Sequence, residues 1–300
     1  PNWAFLTFRI AQDEWVDINK AQILRWQRTL NMKNGVLARK IVVKDKKGRE
    51  TLVESWRIAS MAKPHLAALK YNVTPLNYTD KITVKTVLDG DIINAGVNRY
   101  KQLKSKHLDF VNAGGEDTDS FLVVETNQSK IKIANQAKIL IFKDDQEVDV
   151  DIQHKVKSCK VESEFSLNME QGHTLRIEKL VSIYTSKDKV DDPLKAAVDD
   201  LKTIKDFKDI LQASENCWAD IWKKIDVKVE GHRWAQVLLR LHLYHLMVAA
   251  SPYNINLDVG ITARGLHGEA YRGRVFWDDL YILPLYAMHF PKVAKSILMY

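Results

Sequence analysis

Cysteine is scarce in this chain. Only Cys159 and Cys217 occur in 300 residues. Two cysteines so far apart make neither a disulfide framework nor a metal knuckle, so two unpaired thiols are expected. Long apolar runs are missing too. The longest, Leu241 to Ala250, is interrupted by His242 and His245 and falls well short of the roughly 18 residues of a membrane span, so no membrane partner is expected. Pro1 stands where a Met would begin a full chain, and no charged-then-apolar signal follows it. The chain therefore reads as an internal or processed beginning, with a cytoplasmic location expected and a periplasmic one as the alternative if a signal peptide was trimmed.

A basic block interleaved with aromatics is also lacking. With 45 Lys and Arg against 38 Asp and Glu the net charge is +7, which raises nucleic acid as a partner. The distribution argues against it. Lysines alternate with apolar residues in Lys81-Ile82-Thr83-Val84-Lys85 and Lys130-Ile131-Lys132-Ile133, the pattern of solvent faces on half-buried strands, and no strand-tracking groove is visible. What is present is ordinary globular composition, 46% hydrophobic and 28% charged, in a chain long enough for one large or two ordinary domains.

Up to about residue 190 the signals are strands and turns. Gly35 to Val43 and Thr51 to Ile58 flank a turn at Asp45-Lys46-Lys47-Gly48. In Val161 to Met169, Phe165, Leu167 and Met169 alternate with Glu164, Ser166 and Asn168; Leu175 and Ile177 then alternate with Arg176 and Glu178. Many strands on short turns predict two antiparallel sheets packed face to face, with one helical exception near Val97 to Leu103. After residue 190 the period becomes about 3.6. Asp192-Pro193 is a helix start, an acidic cap before proline at the first helical position. Phe207, Ile210, Leu211, Ser214, Trp218, Ile221, Trp222 and Ile225 form one apolar stripe, whose tryptophans read as core rather than as a sugar platform. Trp234 to Ala250 is apolar nearly all round and predicts an inner, buried helix. Leu280 to Met288 begins another apolar helix or turn despite Pro284.

Between those last two segments lies Ala263 to Asp279, which holds three glycines, three aromatics and eight charged or titratable side chains. Glycines allow tight turns and close approach to a ligand. Trp277 and Tyr271 offer flat apolar faces with one polar handle each, and Arg272 and Asp278 can make charge-assisted hydrogen bonds to hydroxyls. A sugar ring is recognised by that mixture; the alternative is a loop whose charges pair internally and whose aromatics pack as a lid.

This stretch resembles glycoside hydrolase family 65, the kojibiose, maltose and trehalose phosphorylases and their hydrolytic relatives, whose usual pattern is Gly-Leu-x-Gly-Glu-Gly/Ala-Tyr-Arg-Gly-His-x-Phe-Trp-Asp. Further landmarks are Asn34-Gly35-Val36-Leu37-Ala38-Arg39, Val53-Glu54-Ser55-Trp56-Arg57, Lys63-Pro64-His65-Leu66-Ala67-Ala68-Leu69, Val73-Thr74-Pro75-Leu76-Asn77, Leu88-Asp89-Gly90 and Asn94-Ala95-Gly96-Val97. The likeness runs over nearly the whole chain and is greatest to the kojibiose- and trehalose-acting branch. It implies an antiparallel β-sandwich (super-sandwich) domain at 1–188, a helical linker at 189–228 and, at 229–300, the beginning of an (α/α)6 catalytic barrel. It implies cleavage of α-glucosidic disaccharides with inversion, by phosphorolysis or hydrolysis, on a small-molecule sugar substrate. Inorganic phosphate would be co-substrate in the first case, no other cofactor or metal is implied, and the assembly would be a homodimer. By resemblance Trp277 and Asp278 line the glucose subsite and Arg272, Glu269 and Tyr271 support it, whereas the general-acid Glu and the phosphate loop are expected beyond Tyr300.

The sequence departs from the family pattern at His267, where a small hydroxyl residue is common, at Arg274, where His is usual, and at Asp279-Leu280, where Thr-Glu is frequent. These changes leave the maltose, trehalose and kojibiose readings open. Asp278 could instead cap the following helix at Asp279 to Leu283, and Glu269 with Asp279 could serve as an acid pair if burial raised one pKa. His242 and His245 have a metal-compatible spacing, but no carboxylate or cysteine accompanies them, so a hydrogen-bonded core pair is expected; His65 reads as structural. Besides the enzyme, a carbohydrate-binding or assembly module without chemistry is the competing class, since the proton donor is expected outside these residues.

Overall fold

A computed structural model describes residues 1–94, 102–103, 105–257, 259–261, 265, 275 and 277–300. The chain forms two compact units, one of Pro1–Asn31, Gly35–Ile93 and Lys106–Ala213, the other of Met32–Asn34, Asn94–Ser105 and Ser214–Tyr300. The sequence-predicted helix near 97–103 lies, but for two residues, outside the described ones.

The first unit carries the strands β1 (Asn2–Ile10), β2 (Gln22–Asn31), β3 (Val36–Lys44), β4 (Glu50–Ala59), β5 (Leu66–Pro75), β6 (Asp80–Asp89), β7 (Leu108–Glu116), β8 (Asp119–Thr126), β9 (Lys132–Lys143), β10 (Gln146–Glu147), β11 (Gln153–Lys157), β12 (Lys160–Met169) and β13 (Leu175–Thr185). They form two antiparallel sheets. The smaller has the order β1-β6-β12-β11, and the larger β2-β3-β4-β5-β13-β9-β8-β7, with β10 on β9. The β3–β4 hairpin closes where predicted: Asp45 accepts from the backbone of Lys47 at 2.8 Å and Arg49 at 2.9 Å, while Gly48 at φ +81° supplies the left-handed position such a turn requires. Arg49 fixes the turn to its surroundings, paired with Asp45 at 2.7 Å, Asp80 at 3.2 Å and also Asp13.

Alternation along the strands fills the space between the sheets. Phe8, Ile82, Val84, Phe165 and Met169 of the smaller sheet meet Ile41, Val53, Val73, Ile139 and Ile177 of the larger one. The outer face of the larger sheet is covered as well. Helix α1 (Pro193–Lys202) starts at Asp192, whose carboxylate accepts from Leu194 N at 2.8 Å and Lys195 N at 3.2 Å, the cap predicted from Asp192-Pro193. Leu201, Ile204 and the Phe207 and Ile210 that open helix α2 (Phe207–Ile225) pack on Ile58, Leu66, Ala68, Leu140 and Leu180.

Covering both faces of β13 has a cost for its polar residues. Glu178 on the outer face is buried and accepts from Phe207 N at 2.9 Å, satisfying an orphan donor of the α2 N-terminus. Lys179 on the inner face is 1% exposed and donates to Val87 O at 3.0 Å. Val87 lies beside the register shift in β1 between Asn2 and Phe5, where the ladder is interrupted. Burial pushes the Lys179 amine down to about 7, because the core disfavours the charged form. His65, read as structural, is bonded through Nδ1 to Ile183 O at 2.8 Å and stacked on Tyr184 at 3.7 Å.

The second unit is helical. The later part of α2 buries Trp218, Ile221 and Ile225. Trp218 stacks on Tyr244 with centroids 5.0 Å apart and on Trp222 at 6.2 Å; Trp222 Nε1 donates to Met32 O at 3.0 Å, and Asn34 donates to Glu215 at 2.8 Å. Within helix α3 (Arg233–Ala249) Leu243 and Met247 are buried, and Trp234 and Leu238 are exposed. His242 is exposed and His245 half-buried. A 3-10 turn (Pro252–Asn256), α4 (Asp279–His289) and α5 (Pro291–Met299) complete the unit.

Candidate functional site

Helix α4 is apolar at almost every position, and Pro284 in its interior removes one backbone donor. Tyr286, fully buried, fixes it to α3 by donating from its hydroxyl to Leu246 O at 2.5 Å. The residues expected from the sequence to hold sugar stand at its N-terminus. Trp277 is 57% exposed, and Tyr281, one turn on, meets it edge to face, with centroids 5.7 Å apart and planes at 77°. Residues four apart share a helix face; the pair therefore presents an open aromatic corner, a shape that packs against the C–H faces of a pyranose.

Asp278 occupies the N-cap position with φ −56° and ψ −30° and makes no capping hydrogen bond through its side chain. A capping carboxylate needs extended backbone to reach the N–H groups of the next residues; in this helical conformation it does not. The alternative that Asp278 serves only as a cap therefore has no hydrogen bond behind it, and the residue is half-buried. Asp279 differs sharply. It is 5% exposed, its Oδ2 has no hydrogen-bond partner among the described residues, and its pKa is raised, first by burial and then by the neighbouring charge of Asp278. That is the raised acid weighed for the Glu269 and Asp279 pair, although only one member can be placed. Glu269, Tyr271 and Arg272, and with them His267 and Arg274, lie outside the described residues.

Upstream, Gly265 sits at φ +57°, in the left-handed region that glycine adopts without strain. Tyr281 was not singled out from the sequence; its spacing of four from Trp277, once a helix starts at Asp279, is the signal that finds it. A cleft of ≈ 500 Å³ in this unit is lined by Ile255, Leu257, Lys292, Ser296 and Tyr300 among others, but by neither Trp277 nor Asp278. Among the described residues no His, Cys, Asp or Glu group is arranged to hold a metal, and no helix is long and apolar enough to cross a membrane.

The geometry joins a clear kinship. Residues 1–221 match the glycosyl hydrolase family 65 N-terminal domain and residues 240–300 its central catalytic domain. An uncharacterized glycosyl hydrolase of Mycobacterium tuberculosis is 33% identical over all of this chain and 23% of its own length. The kojibiose phosphorylase of Caldanaerobacter subterraneus is 31% identical over all of this chain and 39% of its own, and the α,α-trehalose phosphorylase of Thermoanaerobacter brockii 29% over 96% and 37%. The solved structure of a putative kojibiose phosphorylase from the human microbiome superposes with a TM-score of 0.85 at 20% identity over 99% of this chain and 38% of that one. This chain thus spans well under half the length of these relatives. A sandwich followed by helices is the order of the two matched domains: the chain belongs to glycoside hydrolase family 65, as its N-terminal domain and the start of its central catalytic domain.

Proposed function

We propose that the complete protein cleaves an α-glucosidic disaccharide by phosphorolysis with inversion, and that Trp277 and Asp278 hold the glucose unit whose bond is broken. The observation that carries this is the exposed aromatic corner of Trp277 and Tyr281, with the carboxylate of Asp278, next in sequence to Trp277, not engaged as a helix cap. The phosphorylase names of the relatives at about 30% identity support the reaction class. In this reading residues 1–188 are the sandwich, 189–228 the linker and 229–300 the opening of the barrel. A phosphate oxygen attacks the anomeric carbon on the face opposite the leaving sugar; the C–O bond to that sugar breaks, a carboxylic acid from elsewhere in the barrel protonates the departing oxygen, and β-glucose 1-phosphate is released. Asp278 accepts hydrogen bonds from glucose hydroxyls and strengthens them as the ring flattens.

The test is Asp278→Asn in the complete protein. Weakening charge-assisted bonds worth roughly 1.5–3 kcal/mol each is expected to lower kcat/KM at least about a hundredfold, a loss near 2.7 kcal/mol, at unchanged Tm. A value within about threefold of wild type removes Asp278 from the site. Release of free glucose without phosphate would replace phosphorolysis with hydrolysis.

A further inference from the structure

At one end of the sandwich three arginines share a face. Arg28 of β2 stands directly opposite Arg39 of β3, Arg39 stands opposite Ser55 of β4, and Ser55 stands opposite Tyr71 of β5. Arg57, two residues along β4 from Ser55, projects from the same face. These side chains line one cleft of ≈ 390 Å³ in the first unit, with Trp26 on its wall. Like charges directly opposite on neighbouring strands repel, and a protein surface normally answers them with carboxylates. Here none does. No ion pair or hydrogen bond engages any of the three guanidinium groups among the described residues, although Lys40 beside them on the other face of β3 is paired with Glu54 at 2.7 Å. Arg57 is held below its ordinary pKa by burial and then by Arg28 and Arg39, with no acid offsetting them.

We propose that this cleft is a binding site for a phosphate dianion, as the free ion or as the monoester of a sugar-sized body. Each guanidinium offers a planar fork of donors that matches phosphate oxygens two at a time. Three forks converging from adjacent strands supply more donors, and more charge, than a monovalent carboxylate would use. The cleft is larger than a bare phosphate and falls in the range of small-ligand sites. Trp26, 52% exposed, and the buried Tyr71 give a flat wall and a hydroxyl for the remainder. The site lies wholly in the sandwich unit, so it does not rest on the reading of Trp277 and Asp278.

Calorimetric titration of the complete protein with inorganic phosphate, glucose 6-phosphate and methyl glucoside tests it, in the Asp278→Asn background so that the sugar subsite is handicapped. Phosphate-bearing ligands are expected to bind with Kd at or below about 1 mM and methyl glucoside not to bind. Since phosphate also binds the barrel as co-substrate in the proposed reaction, Arg28→Gln with Arg39→Gln is expected to lose one bound phosphate per chain while raising the Tm of the ligand-free protein, because it relieves repulsion; that rise also shows the variant folds. If the ester binds tighter than inorganic phosphate and Trp26→Ala abolishes the difference, a phosphomonoester is the ligand. Equal affinities identify free phosphate. An unchanged number of phosphates bound per chain in the double arginine variant, or no phosphate bound by the parent protein, overturns the proposal.

Discussion

Replacing Lys179 with Met gives a stability change whose sign depends on pH. The amine is 1% exposed, its one hydrogen bond goes to Val87 O, and burial holds its pKa near 7 against an ordinary 10.5. A basic group whose native pKa lies below its unfolded value leaves the unfolded state holding more protons between the two, so stability rises with pH across that window. Each pH unit there is worth up to about 1.4 kcal/mol, about 5 kcal/mol in all between pH 7 and 10.5. Below pH 7 the full charging cost is present, and Lys179→Met removes it; against this stands the Val87 carbonyl left without a donor, about 1 kcal/mol. The variant is therefore expected to be more stable than wild type by about 3–4 kcal/mol at pH 6 and slightly less stable near pH 10. Urea unfolding followed by circular dichroism at several pH values measures this, with the exposed Lys81→Met as control. Parallel pH profiles for wild type and Lys179→Met would show that the amine does not titrate in the core and would refute the reasoning.

Trp218→Ala should cost about 3–5 kcal/mol by leaving a cavity against Tyr244 and Trp222. Trp218→Phe should cost less than about half of that, because the buried indole Nε1 has no partner to lose; chemical denaturation compares the two. Asp279→Asn is expected to raise Tm at pH 7 and to leave it unchanged near pH 3. An acid whose native pKa is raised loses stability as pH climbs through its unfolded value, and the amide does not titrate. Arg49→Gln should lower Tm at neutral pH and narrow the gap to wild type below about pH 4. Asp13 is held down by Lys47 and then Arg49, and Asp45, although burial raises it, is held down by its bonds from Arg49, so the stability they contribute is lost as they protonate.

Local chemistry was legible in the sequence. The Asp45 to Gly48 turn and the Asp192-Pro193 cap are each settled within a few residues, and the Trp277-Asp278 motif is contiguous. What depended on distant elements was not. Nothing in Leu175 to Ile183 announces that both faces of the strand are covered, because that follows from where α1 and α2 return; so Glu178 reads as a solvent residue and Lys179 passes unnoticed. The arginine face was hidden likewise. Arg28, Arg39 and Arg57 are each an ordinary basic residue until β2, β3 and β4 are placed in register. For α3, an apolar sequence states what a helix would bury, not what stands beside it.

The position of β13 constrains the order in which the sandwich can form. It hydrogen-bonds on one side to β5, more than a hundred residues earlier, and on the other to β9, so the larger sheet exists as two separate ribbons until residue 185 is available. The smaller sheet waits similarly for β12 to reach β6. During synthesis the unpaired edges of β5, β6 and β9 stand open together, each a template for another chain. Pairings of such long sequence separation form slowly, and the interval before β13 closes the sheet is the stage at which this protein is exposed to misassembly and to capture by chaperones.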